Sequence, residues 1–223
     1  MFAIAIDGPA GAGKSTIAKT VAKELSIIYV DTGALYRAVG LYAISKKVCT
    51  TDKEAVSALL EEIKVELVYD ENKNQLVILN GENVSDKIRT QEVSMAASNV
   101  SAIPAVRAFL FDTQRNIAKN NSVIMDGRDI ATVVLPDADV KIFLTASPEE
   151  RAKRRYEELI AKGQEVIYET ILEEVKQRDY NDSHREIAPL KPTDESIIID
   201  TTGNELQQSI DAILKTVKSA LNI

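Results

Sequence analysis

Between Ala5 and Lys19 the chain reads AIDGPAGAGKSTIAK, and this stretch limits the possible folds more than any other. Gly8 is followed by four residues and then by Gly13, Lys14 and Ser15. The apolar run Phe2–Ile6 before it reads as a buried strand. A helical pattern follows from near Lys14, with Ile17, Val21 and Leu25 on one face. The spacing is that of a phosphate-binding loop. Phosphate oxygens must be met by backbone N–H groups, so the chain has to come close and turn sharply, which glycine permits. The helix N-terminus adds unpaired N–H groups and a positive dipole end. Lys14 can supply a point charge to the β- and γ-phosphates, and the Ser15 hydroxyl suits magnesium. An ordinary tight strand-to-helix turn is the competing reading, but strand, loop and helix fall in the order a phosphate loop requires.

Composition narrows the class. The chain has 223 residues, 45% of them apolar, enough for one ample core or a core with inserted lobes. A net charge of -7 argues against general nucleic-acid binding, since no basic excess exists to neutralise a phosphate backbone. The single cysteine, Cys49, excludes an internal disulfide framework and fits a reducing cytoplasm; it reads as a small half-buried apolar residue. No apolar run approaches a membrane span, and Asp7 interrupts the N-terminal run, so neither a membrane helix nor a signal peptide is expected.

Five apolar runs read as buried parallel strands: Phe2–Ile6, Ile27–Val30, Val123–Met125, Lys141–Thr145 and Ile197–Ile199. Helical patterns separate them, which argues for an α/β sheet with helices on both faces. Asp7, Asp31, Asp126 and Asp200 stand at strand ends. Ligands of such sheets bind at the carboxyl ends of strands, so the first three are candidate site residues. The stretch between the second and third strands is far longer than a single crossover needs, so a lobe is inserted there. Within it, VELVYDENKNQLVILNG reads as a β-hairpin turning at Glu71–Asn74. Ala34–Lys46 and Pro104–Lys119 read as flanking helices.

A second insertion separates the last two strands. Ser147-Pro148-Glu149-Glu150 opens a helix, with Ser147 as N-cap and Glu150 closing a capping box; Gly163 ends it. Another helix is expected from about Glu165 to Arg185. This hairpin carries Arg151, Arg154, Arg155, Arg178 and Arg185, five of the ten arginines. The first three share a helix face. Arg178, Asp182 and Arg185 share another. A solvated, salt-bridged pair of helices would account for them; beside a phosphate loop, a mobile arginine lid accounts for them better.

Other candidates each carry two readings. Asp126, at the end of VIMDGRD, suits the strand-end acid that orients magnesium, or it caps a turn. Thr32 and Gly33 in VDTGALYR are placed to open a second anion-binding helix N-terminus. Tyr36 suits packing as well as binding, while Arg37 is harder to explain by packing. His184, the one histidine, has no nucleophile partner and no metal-ligand spacing, so it reads as a surface residue. Two phosphate-binding regions and an arginine lid point to transfer between phosphates. A guanine-nucleotide switch would need an Asn-Lys-x-Asp reader, and Asn72-Lys73-Asn74-Gln75 lacks the aspartate. A motor ATPase would not need a second phosphate pocket.

The stretches IDGPAGAGKST, DTGALYRAVGL, VSDKIRTQEVSMAASNVSAIPAVR, DGRDIATVVLPDADVKIFLTAS, ERAKRRYEEL and RDYNDSHREIAPL resemble the bacterial cytidylate kinases of the nucleoside monophosphate kinase superfamily. DGRDIATVV and IRTQEV are the most specific, and the resemblance covers nearly the whole chain. It implies a P-loop kinase fold: a five-stranded parallel sheet with helices on both faces, an inserted monophosphate-binding lobe with a small β-hairpin or sheet, and a helical lid. The implied division is a core of 1–31, 103–147 and 186–223, a CMP lobe of 32–102 and a lid of 148–185. The implied activity is transfer of the γ-phosphate of ATP to CMP or dCMP in pyrimidine nucleotide metabolism. A non-kinase P-loop NTPase is the alternative.

The resemblance also assigns residues. Gly8, Pro9, Ala10, Gly11, Ala12, Gly13, Lys14, Ser15 and Thr16 would hold ATP. Thr32, Tyr36, Arg37, Ser98, Arg107, Arg128, Asp129, Arg178, Asp182 and Arg185 would hold CMP, with Ser98, Arg107 and Asp129 on the base, Arg128 and Arg185 on the phosphate, and Arg178 and Asp182 near the sugar. Lys14, Arg128, Arg151, Arg154, Arg155 and Arg185 would be catalytic. Ser15 and Asp126 would hold Mg²⁺ brought with ATP. The expected setting is a cytoplasmic monomer with small-molecule substrates and no nucleic-acid or membrane partner. Thr32 stands where many relatives have Ser, which keeps a hydroxyl. Asn181 stands where some have another lid Arg, which alters the donor side.

Overall fold

A computed structural model describes residues 1–71 and 74–223. In chain order it contains β1 (Ala3–Asp7), α1 (Lys14–Glu24), β2 (Ile28–Asp31), α2 (Thr32–Ser45), α3 (Lys53–Leu59), β3 (Val65–Tyr69), β4 (Gln75–Leu79), β5 (Glu82–Asn83), α4 (Gln91–Ser101) and α5 (Pro104–Asn120). There follow β6 (Val123–Gly127), β7 (Val140–Thr145), α6 (Pro148–Ala161), α7 (Tyr168–His184), β8 (Ile197–Asp200) and α8 (Leu206–Leu221). A five-stranded parallel sheet runs in the order β2-β6-β1-β7-β8 and is flanked by helices; a three-stranded sheet runs β3-β4-β5. The chain forms two compact units, Met1–Ile27 with Ser122–Ile223, and Ile28–Asn121.

In the first unit, β1 lies between β6 and β7 and is parallel to both. Ile4, Ala5 and Ile6 are fully buried there, as are Ile124 and Met125 of β6. A strand buried on both faces needs continuous apolar residues, which is why these runs do not alternate. α1 packs on β1, β6 and α8 through Ile17, Ala18 and Val21. The C-terminal end of β1 brings the chain very close to its neighbour. A Cβ built on Gly8 would lie 1.9 Å from the Leu144 carbonyl oxygen, and Gly8 has φ +149°. No side chain fits there.

In the second unit, α2 packs against α4, and the contact is close because Gly40 leaves no side chain between them: a Cβ there would be 2.9 Å from Ala96 Cβ. β3 and β4 form the expected antiparallel hairpin, in register from Val65↔Leu79 to Tyr69↔Gln75. Asn72 and Lys73, at the centre of the expected turn, lie outside the described residues. The apolar side chains of the hairpin and of α2–α5 share one core that includes Leu35, Val39, Val77 and Leu110.

Several expectations need correction. β8 is not buried: Ile197 is 41% and Ile198 62% exposed, because the strand is the last in its sheet. Ser147 caps α6, taking a bond from the Glu150 N–H at 3.1 Å, but no reciprocal box is formed; the Glu150 carboxylate instead accepts from Arg154 Nε at 3.1 Å. The capping box lies at α8, between Glu205 and Gln208. α7 starts at Tyr168, three residues later than expected from Glu165. Cys49 is exposed, with its Sγ 3.2 Å from Thr51 Oγ1. Among the described residues no single helix is long and apolar enough to cross a membrane.

Gly8→Ala is expected to cost at least about 3 kcal/mol, since backbone must move to admit the methyl group. Gly203→Ala, at φ +73° with nothing within 4 Å of the added carbon, should cost only about 1–2 kcal/mol for the left-handed backbone. Urea denaturation of the two variants checks the order; equal costs would show that the pass beside Leu144 is slack.

Candidate active site

The phosphate loop joins β1 to α1. Gly13 precedes the helix at φ 88°, and no side chain caps the first turn, so its N–H groups are left for an anion. Lys14 is buried and its Nζ donates to the Pro9 carbonyl at 2.8 Å. Its ammonium is pushed down to about 7, first by burial and then by the Arg128 charge, while Asp126, Asp182 and Asp7 act in the other direction. A polyphosphate would supply the negative charge that keeps it protonated. Ser15 Oγ donates to Asp126 Oδ2 at 2.7 Å, so the expected magnesium pair is in contact. This is a hard-oxygen set with few protein ligands, which suits an ion that keeps water and phosphate oxygens around it. Among the described residues no cluster of three or more His, Cys, Asp or Glu could hold a metal by itself. A cavity of about 490 Å³ opens over the loop, lined also by Arg154, Arg155, Thr201, Asn204 and Leu206.

The arginines of the same unit are tied to acids and carbonyls. Arg151, 2% exposed, donates from Nε to the Ala146 carbonyl at 2.9 Å and from Nη1 to the Ala10 carbonyl at 3.0 Å. It also grips Asp179 of α7 with both terminal nitrogens. It therefore ties α6 and α7 to the phosphate loop. Arg154 donates to the Thr201 carbonyl at 2.9 Å, and Arg155 pairs with Glu158 at 2.9 Å. Arg128 Nε donates to Asp182 Oδ2 at 2.7 Å, and Arg185 Nη2 reaches Asp129 Oδ1 at 3.4 Å. Burial works to raise the Asp182 carboxyl, but Arg128, Arg178 and Arg185 outweigh it and hold it below the ordinary range. Arg128, Arg178 and Arg185 thus form one cluster with the carboxylates of Asp129 and Asp182, three cations against two anions. His184 is exposed and stacks on Tyr180, as a surface residue would.

In the second unit Asp31 caps α2, accepting from the Ala34 N–H at 3.0 Å, and pairs with Arg37 at 2.5 Å. Gln75 braces it with two backbone bonds, at 2.8 and 3.2 Å. The strand-end acid is thus spent on holding Arg37 and the start of the helix at Thr32. Arg107 lies 5.8 Å from the centre of the Tyr36 ring and donates to the Ser101 carbonyl on α4, the helix that carries Ser98. Tyr36, Arg107 and the Ser98 helix therefore come together within this unit.

Residues 4–219 match the family model described as cytidylate kinase. The cytidylate kinase of Caldicellulosiruptor saccharolyticus is 50% identical over 95% of this chain and 93% of its own. That of Bacillus subtilis is 48% identical over 97% and 96%. The chain belongs to the cytidylate kinase family. A shikimate kinase structure from Bacteroides thetaiotaomicron, 12% identical and covering 100% of this chain and 99% of its own, superposes with a TM-score of 0.51 and shares the fold.

For a cytidylate kinase relative, two acids have uses that no short motif signals. Asp179 holds Arg151. Asp7, a strand-end candidate for the site, is committed to the scaffold: its Oδ1 accepts from the Ile130 N–H and its Oδ2 from the Ala131 N–H, both at 2.8 Å. Thr201, Asn204 and Leu206 line the loop cavity although they lie at the far end of the chain, out of reach of any local pattern.

Burial pushes the Asp7 carboxyl up from the ordinary 3.8 to about 6, against the two N–H bonds that lower it; Asp129 raises it further. A raised carboxyl favours the folded state below the unfolded value, and this contribution is lost as pH rises through about 6. The wild type should therefore lose stability relative to Asp7→Asn between about pH 4 and 6, by an amount on the order of 3 kcal/mol. Urea denaturation of both proteins across that range checks it; a constant difference would contradict the shift.

Proposed function

We propose that this chain is an ATP-dependent kinase that transfers the γ-phosphate of ATP to CMP or dCMP, giving ADP and CDP or dCDP. The observation that carries the reading is the cluster of Arg128, Asp129, Arg178, Asp182 and Arg185 in the same unit as the phosphate loop, close enough for Arg128 and Asp182 to act on Lys14. A non-kinase NTPase needs the loop but has no use for a second charged cluster.

The reaction needs little from side chains beyond charge and position. A CMP phosphate oxygen attacks the γ-phosphorus in line, a new O–P bond forms, and the bond to the ADP oxygen breaks. The attacking phosphate is already ionised, so no general base is required. Lys14 and the loop N–H groups hold the ATP phosphates. Arg128 and Arg185 hold the acceptor phosphate, exchanging their carboxylate partners for it in part. Arg151 fixes the loop through Ala10, and Arg154 and Arg155 supply positive charge from the lid. Ser15 and Asp126 would hold Mg²⁺, which neutralises charge on the polyphosphate when bound. Residues 148–185 act as a lid that excludes water. Residues 32–102 form the CMP lobe, with Thr32, Tyr36, Arg37, Ser98 and Arg107, and the remainder is the core. The enzyme works as a cytoplasmic monomer on these small molecules.

Lys14→Ala is expected to lower kcat by at least ~10³ without loss of fold. Turnover and circular dichroism together check it, and near-normal turnover would remove Lys14 from the mechanism.

Base choice gives a sharper test. Cytosine offers an amino donor and a ring-nitrogen acceptor; uracil offers a carbonyl and an N–H. A carboxylate only accepts and a guanidinium only donates, so Asp129 and Arg107 suit cytosine and oppose uracil. A charged hydrogen bond of this kind is worth about 1.5–3 kcal/mol. Asp129→Ala should cut kcat/KM for CMP far more than for UMP and narrow their ratio by at least ~10-fold. If Asp129 serves only to brace Arg185, both substrates lose equally and the ratio stays unchanged.

A further inference from the structure

Arg128 and Asp129 are two consecutive residues on which the acceptor reading depends, and the backbone on either side of them is held by one residue, through its backbone on one side and its side chain on the other. On the N-terminal side, Gly127 ends β6 in register with Asp7 of β1. On the C-terminal side, Ile130 and Ala131 donate their N–H groups to the two carboxylate oxygens of Asp7, each at 2.8 Å. These are the first two residues of a short π-helical turn, Ile130–Val134. The turn is closed by the Asp129 carbonyl, which accepts from the Val133 and Val134 N–H groups. Asp129 stands in the capping position but makes no side-chain cap bond. The cap comes instead from a strand end more than a hundred residues earlier, and Asp7 itself is 2% exposed.

The chemistry of this clamp requires a carboxylate. Two N–H groups point at it, and only a carboxylate offers each its own acceptor oxygen. Asparagine has the same shape but would turn an NH₂ group towards one of the two donors, leaving a buried N–H unmet. Glutamate would have to fit an extra methylene at a buried position. Ile130 and Ala131 are themselves 1% and 3% exposed, so water cannot stand in.

We propose that Asp7 is a positioning residue for the acceptor nucleotide: by holding both ends of the Arg128–Asp129 pair, it sets the affinity for CMP and the preference for cytosine without touching either substrate. The proposal rests on the reading of Arg128 and Asp129 as CMP ligands. It places the determinant of acceptor geometry at the residue just before the donor loop, so one strand end serves both substrates.

The test compares Asp7→Asn, Asp129→Ala and the wild type for KM of CMP and of ATP, the CMP to UMP ratio, and amide exchange over residues 128–134. For Asp7→Asn, KM for CMP should rise at least ~10-fold while KM for ATP stays within ~3-fold. The cytosine preference should narrow and the Ile130 and Ala131 amides should exchange faster. Equal rises in both KM values, or normal kinetics with faster exchange, would overturn the proposal. If Asp129→Ala raises KM for CMP and Asp7→Asn does not, the positioning role alone fails. If Asp129→Ala also leaves CMP binding and the ratio unchanged, the acceptor reading fails with it. Should Asp7→Asn not fold, an ester in place of the Ile130–Ala131 peptide bond deletes the Ala131 N–H and keeps every side chain; it carries the same expectation, and unchanged CMP kinetics in that protein would overturn the proposal.

Discussion

The pass of Gly8 against the Leu144 carbonyl is the constraint from which the phosphate loop takes its form. The strand end must leave the sheet between two neighbours, and a Cβ at that point would overlap backbone oxygen at 1.9 Å. Because the chain can turn there, the first turn of α1 is left without a side-chain cap, and Lys14 folds back onto the Pro9 carbonyl instead of extending to solvent. The same strand end puts Asp7 opposite Gly127, so the loop and the Arg128–Asp129 pair share one anchor.

Within each unit, arginines are paired with carboxylates before any substrate arrives. Arg128 is paired with Asp182, Arg185 with Asp129, Arg151 with Asp179, and Arg37 with Asp31. Buried ion pairs seldom add net stability, because desolvation offsets most of the attraction. What they do here is fix the guanidinium groups in place, as Arg151 is fixed between Asp179 and the Ala146 and Ala10 carbonyls. Burial and the Arg128 charge push the Lys14 ammonium down against the pull of Asp126, Asp182 and Asp7, and an anion in the loop would act with those acids.

Much of this was legible in the sequence, where the signals are local. The loop spacing, the apolar runs and the Ser147 cap each depend on neighbours a few residues apart, and the structure follows them. The sequence also singled out Asp126 and Ser15, and they meet at 2.7 Å. What escaped depends on partners distant in the chain. Nothing near Asp7 shows that its oxygens go to Ile130 and Ala131, and nothing near Asp179 shows that it holds Arg151. Ile197–Ile199 looks like a core strand because it is apolar, yet its place at the sheet edge leaves it exposed. Cys49 misled in the same way: residue type suggested burial, while a surface segment leading into α3 keeps it outside. Glu150 had the right spacing for a capping box, but Arg154, one turn on, offers its carboxylate a charged partner.

The central claim is that the loop delivers phosphate to an acceptor nucleotide rather than to water. Incubation of the purified protein with Mg-ATP, with and without CMP, followed by anion-exchange separation of the nucleotides, tests it most directly. The account predicts ADP and CDP in equal amounts when CMP is present, and far slower release of ADP when it is absent. Release of ADP at the same rate in both, with no CDP, would contradict it.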